Sequence, residues 1–254
     1  MSVGTPHRRD IPGDPGLERT LLVSRRGPFV GRATRGIRRF AREPALDRLL
    51  LELAHGHGPQ RWWPAESPFE VIVGAVLTQN TAWSNVERAL AGLKASTTLT
   101  PASLLALPEE ELALAIRSSG YFRAKAKKLR AISRWYLESG GLRTLARAPL
   151  ESLRDGLLEV WGVGPETADS ILCYAAGRRT AVVDVYTRRV LSRHGFLAAD
   201  LGYEEIRAWL QERLIPSQAV FEEFHALFVR AGYGHCKPTP RCTGCAATAP
   251  LSLR

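Results

Sequence analysis

From Pro44 onward, apolar residues recur at helical spacing, and this pattern limits the fold more than any other feature of the sequence. Four leucines between positions 46 and 53 share one helical face, and similar sets continue as far as Phe228. The run Phe69–Leu77 is nearly all apolar and could form a strand by local propensity, but the apolar residues that follow it favour buried helices. Connections are short, and strands do not alternate with helices. The sequence therefore predicts an all-α protein of about ten helices.

Positive charge is concentrated at the N-terminus. The 254 residues carry a formal net charge of +10, and residues 1–43 contribute +6 because they contain ten arginines and four acidic residues. This segment is rich in Gly, Pro and Arg, so we expect a disordered basic arm over 1–43 and a folded domain over 44–254. The net charge favours a polyanionic partner, but the case for nucleic acid must rest on the folded domain.

Composition excludes several classes of protein. The chain has no run of 18 apolar residues that could span a membrane. Its N-terminus lacks the apolar segment of a secretory signal. Four cysteines are too few for a disulfide scaffold of this size. We therefore expect a cytoplasmic, monomeric protein that contacts no membrane.

The most informative motif lies in the segment 158–172. A helix is expected to end at Trp161, Gly162 and Gly164 to form a tight turn, and Pro165 to begin the next helix. Such a turn leaves backbone N–H groups open at a helix N-terminus, where a phosphate group can bind. The motif indicates a helix-hairpin-helix element that grips the DNA backbone, or alternatively a plain αα-hairpin with a glycine turn.

Asp184 follows this hairpin after an apolar approach, and a basic helix follows it. An N-cap role would account for Asp184 by itself. Together with Gly74–Thr81 and Ser119–Ala126 upstream, however, the hairpin and Asp184 resemble the helix-hairpin-helix DNA glycosylases of the endonuclease III superfamily. The resemblance covers about residues 46–245. In that family the aspartate is catalytic, so the resemblance implies that Asp184 is catalytic here.

The family resemblance implies a two-lobed fold. Residues 67–179 would form a six-helix barrel that includes the hairpin, and residues 44–66 and 180–254 would form the second lobe. Double-stranded DNA with a damaged base or an abasic site would lie across the cleft, with the target base flipped out. The implied DNA-binding residues are Gln79, Asn80, Lys125, Lys127, Gly162, Val163, Gly164 and Arg188.

A lysine is missing from the hairpin motif. Bifunctional family members carry Lys at the position that Glu166 occupies here, and that amine forms an imine with the sugar. A carboxylate cannot form an imine, so we expect a monofunctional glycosylase that releases a base by water attack and leaves an abasic site. Glu166 is a second candidate for the catalytic site, or alternatively an acidic residue that stabilises the first turn of a helix.

Tryptophans suggest a pocket for the extruded base. Trp62 and Trp63 precede Pro64, and Trp83 follows the Gln79–Asn80 loop. They could stack on a base, preferably a cationic one, or simply pack in the core. The Trp62–Pro64, Leu77–Thr81 and Gly162–Tyr174 segments resemble the 3-methyladenine glycosylase branch of the family, which implies an alkylated purine as substrate.

The C-terminal cysteines resemble a depleted iron–sulfur site. Most family members hold a [4Fe–4S] cluster with four cysteines in a C-x6-C-x2-C-x5-C pattern. Here Cys236, Cys242 and Cys245 show a first gap of five residues, and Leu251 stands at the fourth position. We expect no bound cofactor. The alternatives are a residual [4Fe–4S] cluster or a zinc site that His235 completes.

Two other functions are compatible with the sequence. One is an endonuclease III-like glycosylase and abasic-site lyase that acts on oxidised pyrimidines or mismatches. The other is a catalytically weak helix-hairpin-helix protein that binds damaged DNA. The presence of Asp184 favours an enzyme over a binding protein.

Overall fold

The computed structural model of the chain describes residues 37–60 and 62–247. In this part of the chain the regular structure is helical, apart from one isolated bridge between Ala41 and Leu214. The all-α fold expected from the apolar periodicity is therefore confirmed. The helices are α1 Pro44–His57, α2 Pro68–Leu77, α3 Trp83–Ser96, α4 Pro101–Ala106, α5 Glu109–Ala115, α6 Phe122–Glu138, α7 Leu142–Arg147, α8 Leu150–Leu158, α9 Pro165–Ser170 with a π-helical turn Ile171–Ala175, α10 Val185–Arg193, α11 Tyr203–Arg213 and α12 Gln218–Gly234.

Local sequence signals fix where several of these helices begin. Proline occupies the first turn of α1, α2, α4 and α9, where its missing N–H costs no hydrogen bond. Ser67, Thr100 and Asp184 cap α2, α4 and α10, because each side chain accepts a hydrogen bond from a first-turn backbone N–H. Every residue of α2 is buried, so its continuous apolar sequence reflects a central helix rather than a strand.

The buried residues form two hydrophobic cores, as a two-lobed fold requires. The first core is built mainly from residues 62–175. The second combines residues 40–53 with residues 173–236, so both ends of the described chain contribute to it. Helix α12 packs into both cores and joins the lobes.

The N-terminal boundary differs from the one predicted. Phe40 and Ala41 are fully buried in the second core, and Asp47 Oδ1 accepts hydrogen bonds from both of their backbone N–H groups. The folded chain therefore extends to the N-terminal side of residue 43, because these two apolar residues pack against the second lobe. Residues 1–36 of the predicted arm lie outside the described residues.

A buried ionic network connects the hairpin to the second lobe. Asp169 of α9 is inaccessible to solvent and accepts hydrogen bonds from Arg154 of α8 and Arg207 of α11 at 3.1–3.2 Å. Thr180 and Tyr203 also donate to its carboxylate, at 2.8 and 2.9 Å. Because a buried carboxylate needs such partners, the network specifies how the hairpin lies against α11. Within the described residues, no helix combines the length and apolar character needed to cross a bilayer.

Candidate active site

Asp184 lies at the junction of the two lobes, at the N-terminus of α10. Its Oδ1 accepts a 2.7 Å hydrogen bond from the backbone N–H of Thr187, so it does cap the helix. Its Oδ2 lies 3.5 Å from Nε2 of His225, and 11% of its side chain is exposed. Burial raises the pKa of this carboxyl group, but His225 and Thr187 outweigh burial and hold the pKa below its ordinary value. Asp184 is therefore ionised at neutral pH.

A chain of polar contacts leads from Asp184 towards the tryptophans. Nδ1 of His225 lies 2.6 Å from the hydroxyl of Tyr174, which is on the π-helical turn after α9. The ring of Tyr174 lies 5.5 Å, centroid to centroid, from that of Trp63. The acidic group and the aromatic cluster thus belong to one continuous site.

Trp62, Trp63 and Trp83 contact one another, with ring centroids 4.9–5.4 Å apart. All three are at least nine-tenths buried and lie in the first core, so the core-packing interpretation describes this conformation. Their three indole N–H groups are nevertheless buried without a hydrogen-bond acceptor in the described part of the chain. Buried donors are rarely left in this way, except at sites that bind a ligand or water.

The tryptophan segment is held by both lobes. Glu223 of α12 accepts a 2.9 Å hydrogen bond from the backbone N–H of Gln60. Gly74 of α2 admits the indole of Trp63, because a Cβ at this position would lie 3.0 Å from the indole nitrogen. Both contacts hold the tryptophan segment in place.

The hairpin has the geometry of an open anion site. Only the first of its two glycines has a left-handed backbone, since φ is +85° at Gly162 and −101° at Gly164. The tight turn expected from the two glycines therefore requires a left-handed backbone at Gly162 alone. No side chain caps α9, and a Cβ at Gly164 would meet no atom within 4 Å. Val163 is buried, and its backbone N–H is bonded to the carbonyl of Val160. Of the three predicted hairpin residues, Gly164 therefore presents the most open surface.

Gln79 and Asn80 form the turn between α2 and α3. Nε2 of Gln79 donates to the carbonyl of Gly162 at 3.0 Å and to the hydroxyl of Thr167 at 2.9 Å. Asn80 is exposed and has φ of +53°, a left-handed conformation that Asn tolerates better than most residues. Asn80 is therefore the more available of the two to enter a gap in the DNA.

Lys125 does not lie on the surface. It is 2% exposed, and its ammonium group donates to the carbonyls of Leu77 and Ser119 at 2.8 and 2.7 Å. The direct DNA contact expected of Lys125 is replaced by a structural one, because these carbonyls face the interior and need a donor. Burial, together with the charge of Lys128, lowers the pKa of Lys125 to about 8.

The remaining charged candidates, Lys127, Arg188 and Glu166, differ in their exposure and in their contacts. Lys127 is exposed, as a phosphate contact requires. Arg188 is half-buried and donates to the carbonyl of Leu201, so its guanidinium group stabilises the loop after α10. Glu166 is exposed in the first turn of α9, next to the hairpin. Its position is compatible with the helix-dipole role and with a place near the cleft.

The cysteines lie near the end of the described chain. Cys236 is buried and accepts a 3.4 Å hydrogen bond from Arg193, whereas Cys242 is exposed and Cys245 is half-buried. No group of three or more His, Cys, Asp or Glu side chains converges as a metal site within residues 37–60 and 62–247. Three thiolates leave one iron of a [4Fe–4S] cluster without a protein ligand, so the described set does not fit that group. Leu251 lies outside the described residues.

Comparison with known proteins agrees with this architecture. The sequence model of the HhH-GPD superfamily base excision DNA repair proteins matches residues 73–216, and the chain belongs to this superfamily. MJ1434 of Methanocaldococcus jannaschii, which is named as a DNA repair glycosylase, is 40% identical over 201 residues, or 78% of this chain and 90% of the relative.

Two solved structures extend the comparison. The Helicobacter pylori 3-methyladenine DNA glycosylase MagIII bound to 1,N6-ethenoadenine superposes with a TM-score of 0.63 at 28% identity, over 73% of this chain and 95% of the other. A non-covalent endonuclease III–DNA complex superposes with a TM-score of 0.66 at 27% identity, over 79% and 90% of the two chains. The family resemblance expected from the motifs is confirmed, and the chain is a DNA glycosylase of base-excision repair by family.

Four residues of the site were absent from the sequence-based candidates: Tyr174, His225, Glu223 and Lys128. The first three reach the site through tertiary contacts between α12, the π-helical turn and the tryptophan segment. Glu222, Glu223 and His225 lie among apolar residues in the middle of α12 and are nevertheless buried. Charged and polar residues within an apolar helix were the sequence signal that could have indicated these site residues, because burial of a charge is costly unless the charge is paired.

Proposed function

We propose that this protein is a monofunctional DNA glycosylase that excises an alkylated purine, such as 3-methyladenine, by hydrolysis of the N-glycosidic bond. The observation that carries the proposal is the continuous site formed by Asp184, His225, Tyr174 and Trp63. It combines one ionised carboxylate with aromatic surface, and hydrolysis of a weakened glycosidic bond requires little more.

The substrate proposal rests on charge and stacking. A purine nucleotide that is methylated at a ring nitrogen, as in 3-methyladenine, is cationic, and indole faces attract cations through the ring quadrupole. The unpaired indole N–H groups of Trp62, Trp63 and Trp83 offer donors to the ring nitrogens or carbonyl groups of a bound base. For such a base to enter, the three rings must separate, since they contact each other in this conformation. The structural neighbour MagIII is a 3-methyladenine DNA glycosylase bound to 1,N6-ethenoadenine, which supports an alkylated purine as the substrate.

The catalytic proposal assigns two roles to Asp184. Its negative charge stabilises the oxocarbenium character that the sugar acquires as the base leaves. It also orients the attacking water and takes a proton from it. A purine that is methylated at N3 or N7 carries a positive charge before cleavage, so it leaves as a neutral molecule and needs no acid catalyst. Glu166 lies beside the hairpin and could contribute electrostatically, but it cannot act as an amine nucleophile.

The DNA-binding proposal places the duplex backbone against Gly164 and Lys127. Gly164 combines an uncapped helix with open space, and Lys127 carries an exposed positive charge. Asn80 is positioned to fill the gap left by the extruded base. Structural neighbours include a glycosylase in complex with DNA, which supports DNA as the substrate.

The test is a panel of duplexes that each carry one defined lesion. The panel contains 3-methyladenine, 1,N6-ethenoadenine, an oxidised pyrimidine and a thymine mismatch, and each duplex is scored before and after alkaline cleavage. We expect release of an alkylated purine, with strand breaks only after alkali. Release of an oxidised pyrimidine, or breaks before alkali, would favour the endonuclease III-like function. If every lesion is bound and none is released, the protein is a damage-binding protein.

A further inference from the structure

His225 is a buried imidazole between two groups of the site. It lies on α12, is 5% exposed, and has no counterpart among the motifs that mark the hairpin or Asp184. Its Nε2 faces Oδ2 of Asp184 at 3.5 Å, and its Nδ1 faces the Tyr174 hydroxyl at 2.6 Å. Hydrogen bonds between catalytic groups, such as the 3.5 Å contact between His225 and Asp184, are often long in unbound enzymes and shorten when the substrate binds.

The hydrogen-bond partners determine which ring nitrogen carries a proton. The Asp184 carboxylate only accepts, so Nε2 must carry hydrogen to interact favourably with it. The Tyr174 hydroxyl can donate to Nδ1, or it can accept from Nδ1 and donate instead to the carbonyl of Glu222, which lies 3.1 Å away. Burial raises the pKa of the Tyr174 hydroxyl, which keeps it protonated. Neutral and charged forms of His225 therefore both present an N–H to Asp184, without an unsatisfied group.

Other ionisable groups around the pair are engaged elsewhere or neutral. Glu223 accepts from the Gln60 N–H, and Glu222 accepts from Gln218. Cys173 is buried, and burial raises the pKa of its thiol. Tyr186 of α10 packs against Gly232 of α12. Helix α1 also packs against α12, and the side chains that it buries are leucines. The Thr187 N–H is the remaining contact of Asp184, and it cannot titrate.

We propose that His225 is a positioning residue that orients the Asp184 carboxylate and keeps it ionised while the base leaves. The proposal rests on the proposed catalytic role of Asp184. Asp184 is surrounded by protein, and such burial favours the neutral acid. The N–H of His225 opposes that effect on one carboxylate oxygen, and the Thr187 N–H holds the other oxygen.

The test compares two substitutions of His225. His225→Phe fills the same space without either nitrogen, and His225→Gln retains an N–H donor but cannot take up a proton. Single-turnover release of the best lesion on the panel is measured from pH 5 to pH 9. We expect His225→Phe to lose roughly ten- to 100-fold in rate, as when other supporting residues of a site are removed. Wild type should show no acid limb in this range, because the pKa of Asp184 is lowered. In His225→Phe the limb should move to higher pH, towards this range, because burial of Asp184 is no longer opposed. His225→Gln should recover most of the rate.

Direct titration of Asp184 by carboxyl ¹³C NMR gives a readout that needs no substrate. Its midpoint should be higher in His225→Phe than in wild type. A folded His225→Phe protein with the wild-type rate and midpoint overturns the proposal, as does a slower protein with an unshifted midpoint. The Asp184→Asn variant distinguishes a failure of the role proposed for His225 from a failure of the catalytic role proposed for Asp184. If Asp184→Asn is slow and His225→Phe is normal, only the role of His225 fails. If Asp184→Asn is as fast as wild type, the proposed catalytic function itself fails.

Discussion

Gln79 donates a 3.0 Å hydrogen bond from its side-chain amide to the main-chain carbonyl of Gly162, which links the turn after α2 to the hairpin. The same side chain accepts from the ammonium group of Lys128 at 2.5 Å. The stem of Lys128 lies over Gly162, where a Cβ would approach it to 2.5 Å. The turn after α2 and the hairpin, which are both proposed to contact DNA, are therefore linked to each other through the side chains of Gln79 and Lys128.

Gly164→Val should weaken DNA binding about tenfold or more without unfolding the protein. The backbone at Gly164 is ordinary and its surroundings are empty, so the fold can accept a side chain. The same side chain would occupy the space in which a phosphate approaches the first turn of α9. Affinity for a duplex, measured by fluorescence anisotropy, and the thermal unfolding midpoint distinguish the two effects. Unchanged affinity in a folded variant would contradict the hairpin model.

Lys127→Gln tests whether the exposed charge of Lys127 contributes to DNA binding, through the salt dependence of the affinity. Loss of one phosphate contact should reduce the slope of log affinity against log salt by about 0.9. A wild-type affinity that does not depend on salt would exclude backbone recognition altogether.

Borohydride should trap no covalent adduct between the wild-type protein and lesion-containing DNA. Among the five lysines, Lys128 is the amine nearest the hairpin, and its ammonium group is bonded to Gln79. Glu166→Lys, by contrast, places an amine at the motif position used by bifunctional relatives and should yield a trapped band on a denaturing gel. Lys128→Arg is the control, because it keeps the charge but removes the primary amine. Trapping by wild type that disappears in Lys128→Arg would identify an unexpected lyase and refute the monofunctional assignment.

Much of the fold could be predicted because local and tertiary signals agree. The apolar run in α2 suits a helix buried on all sides, and proline marks several helix starts. The segment that contains Phe40 was misassigned to the arm because the surrounding arginines dominate its composition. Its backbone pairs with residues 213–215 at the end of α11, a contact that no local pattern reveals.

The sequence could indicate the candidate site residues that belong to a backbone motif, but not those that only a long-range contact brings to the candidate site. Asp184 and Gly164 lie in or near the hairpin, whose glycines and proline are visible in the sequence. The charge of Lys125 suggested a DNA contact, but its ammonium group donates hydrogen bonds to the carbonyls of Leu77 and Ser119. His225 could not be placed, because only the packing of α12 against α10 brings it to Asp184.

Lys125 should make the stability of the protein depend on pH. The pKa of Lys125 is about 8 in the folded state and about 10.4 in an unfolded chain, so between these values the unfolded state binds more protons. Stability therefore rises with pH in this window, by up to about 1.4 kcal/mol per pH unit. Urea unfolding of wild type and Lys125→Met at pH 7, 8, 9 and 10 isolates the effect, since both proteins share all other groups. A difference between them that stays constant with pH would show that Lys125 titrates normally.

Purified protein should be colourless and contain well below four irons per chain. Cys236, Cys242 and Cys245 supply three thiolates, and the position of the fourth is occupied by Leu251. Leu251→Cys is the informative variant, because it restores a fourth thiol at the family position. Elemental analysis and absorbance near 400 nm after anaerobic reconstitution compare the two proteins. A brown wild type with about four irons would require a ligand from outside this set, and the prediction would be wrong.

Asp184→Asn should lower the rate of base release by roughly 10²–10⁴-fold, because the substitution removes the charge beside the scissile bond. Asparagine can still accept the Thr187 N–H hydrogen bond, so α10 should remain capped and the unfolding midpoint should change little. Asp184→Ser is the control for helix capping, because serine also caps helices but its side chain is shorter. DNA affinity should persist in both variants and should increase slightly, because a negative charge near the DNA is removed. Single-turnover rates and anisotropy on the same lesion duplex provide the comparison. Equal rates for Asp184→Asn and wild type would reduce Asp184 to a helix cap, whereas a slow, tightly binding variant would identify it as the catalytic carboxylate.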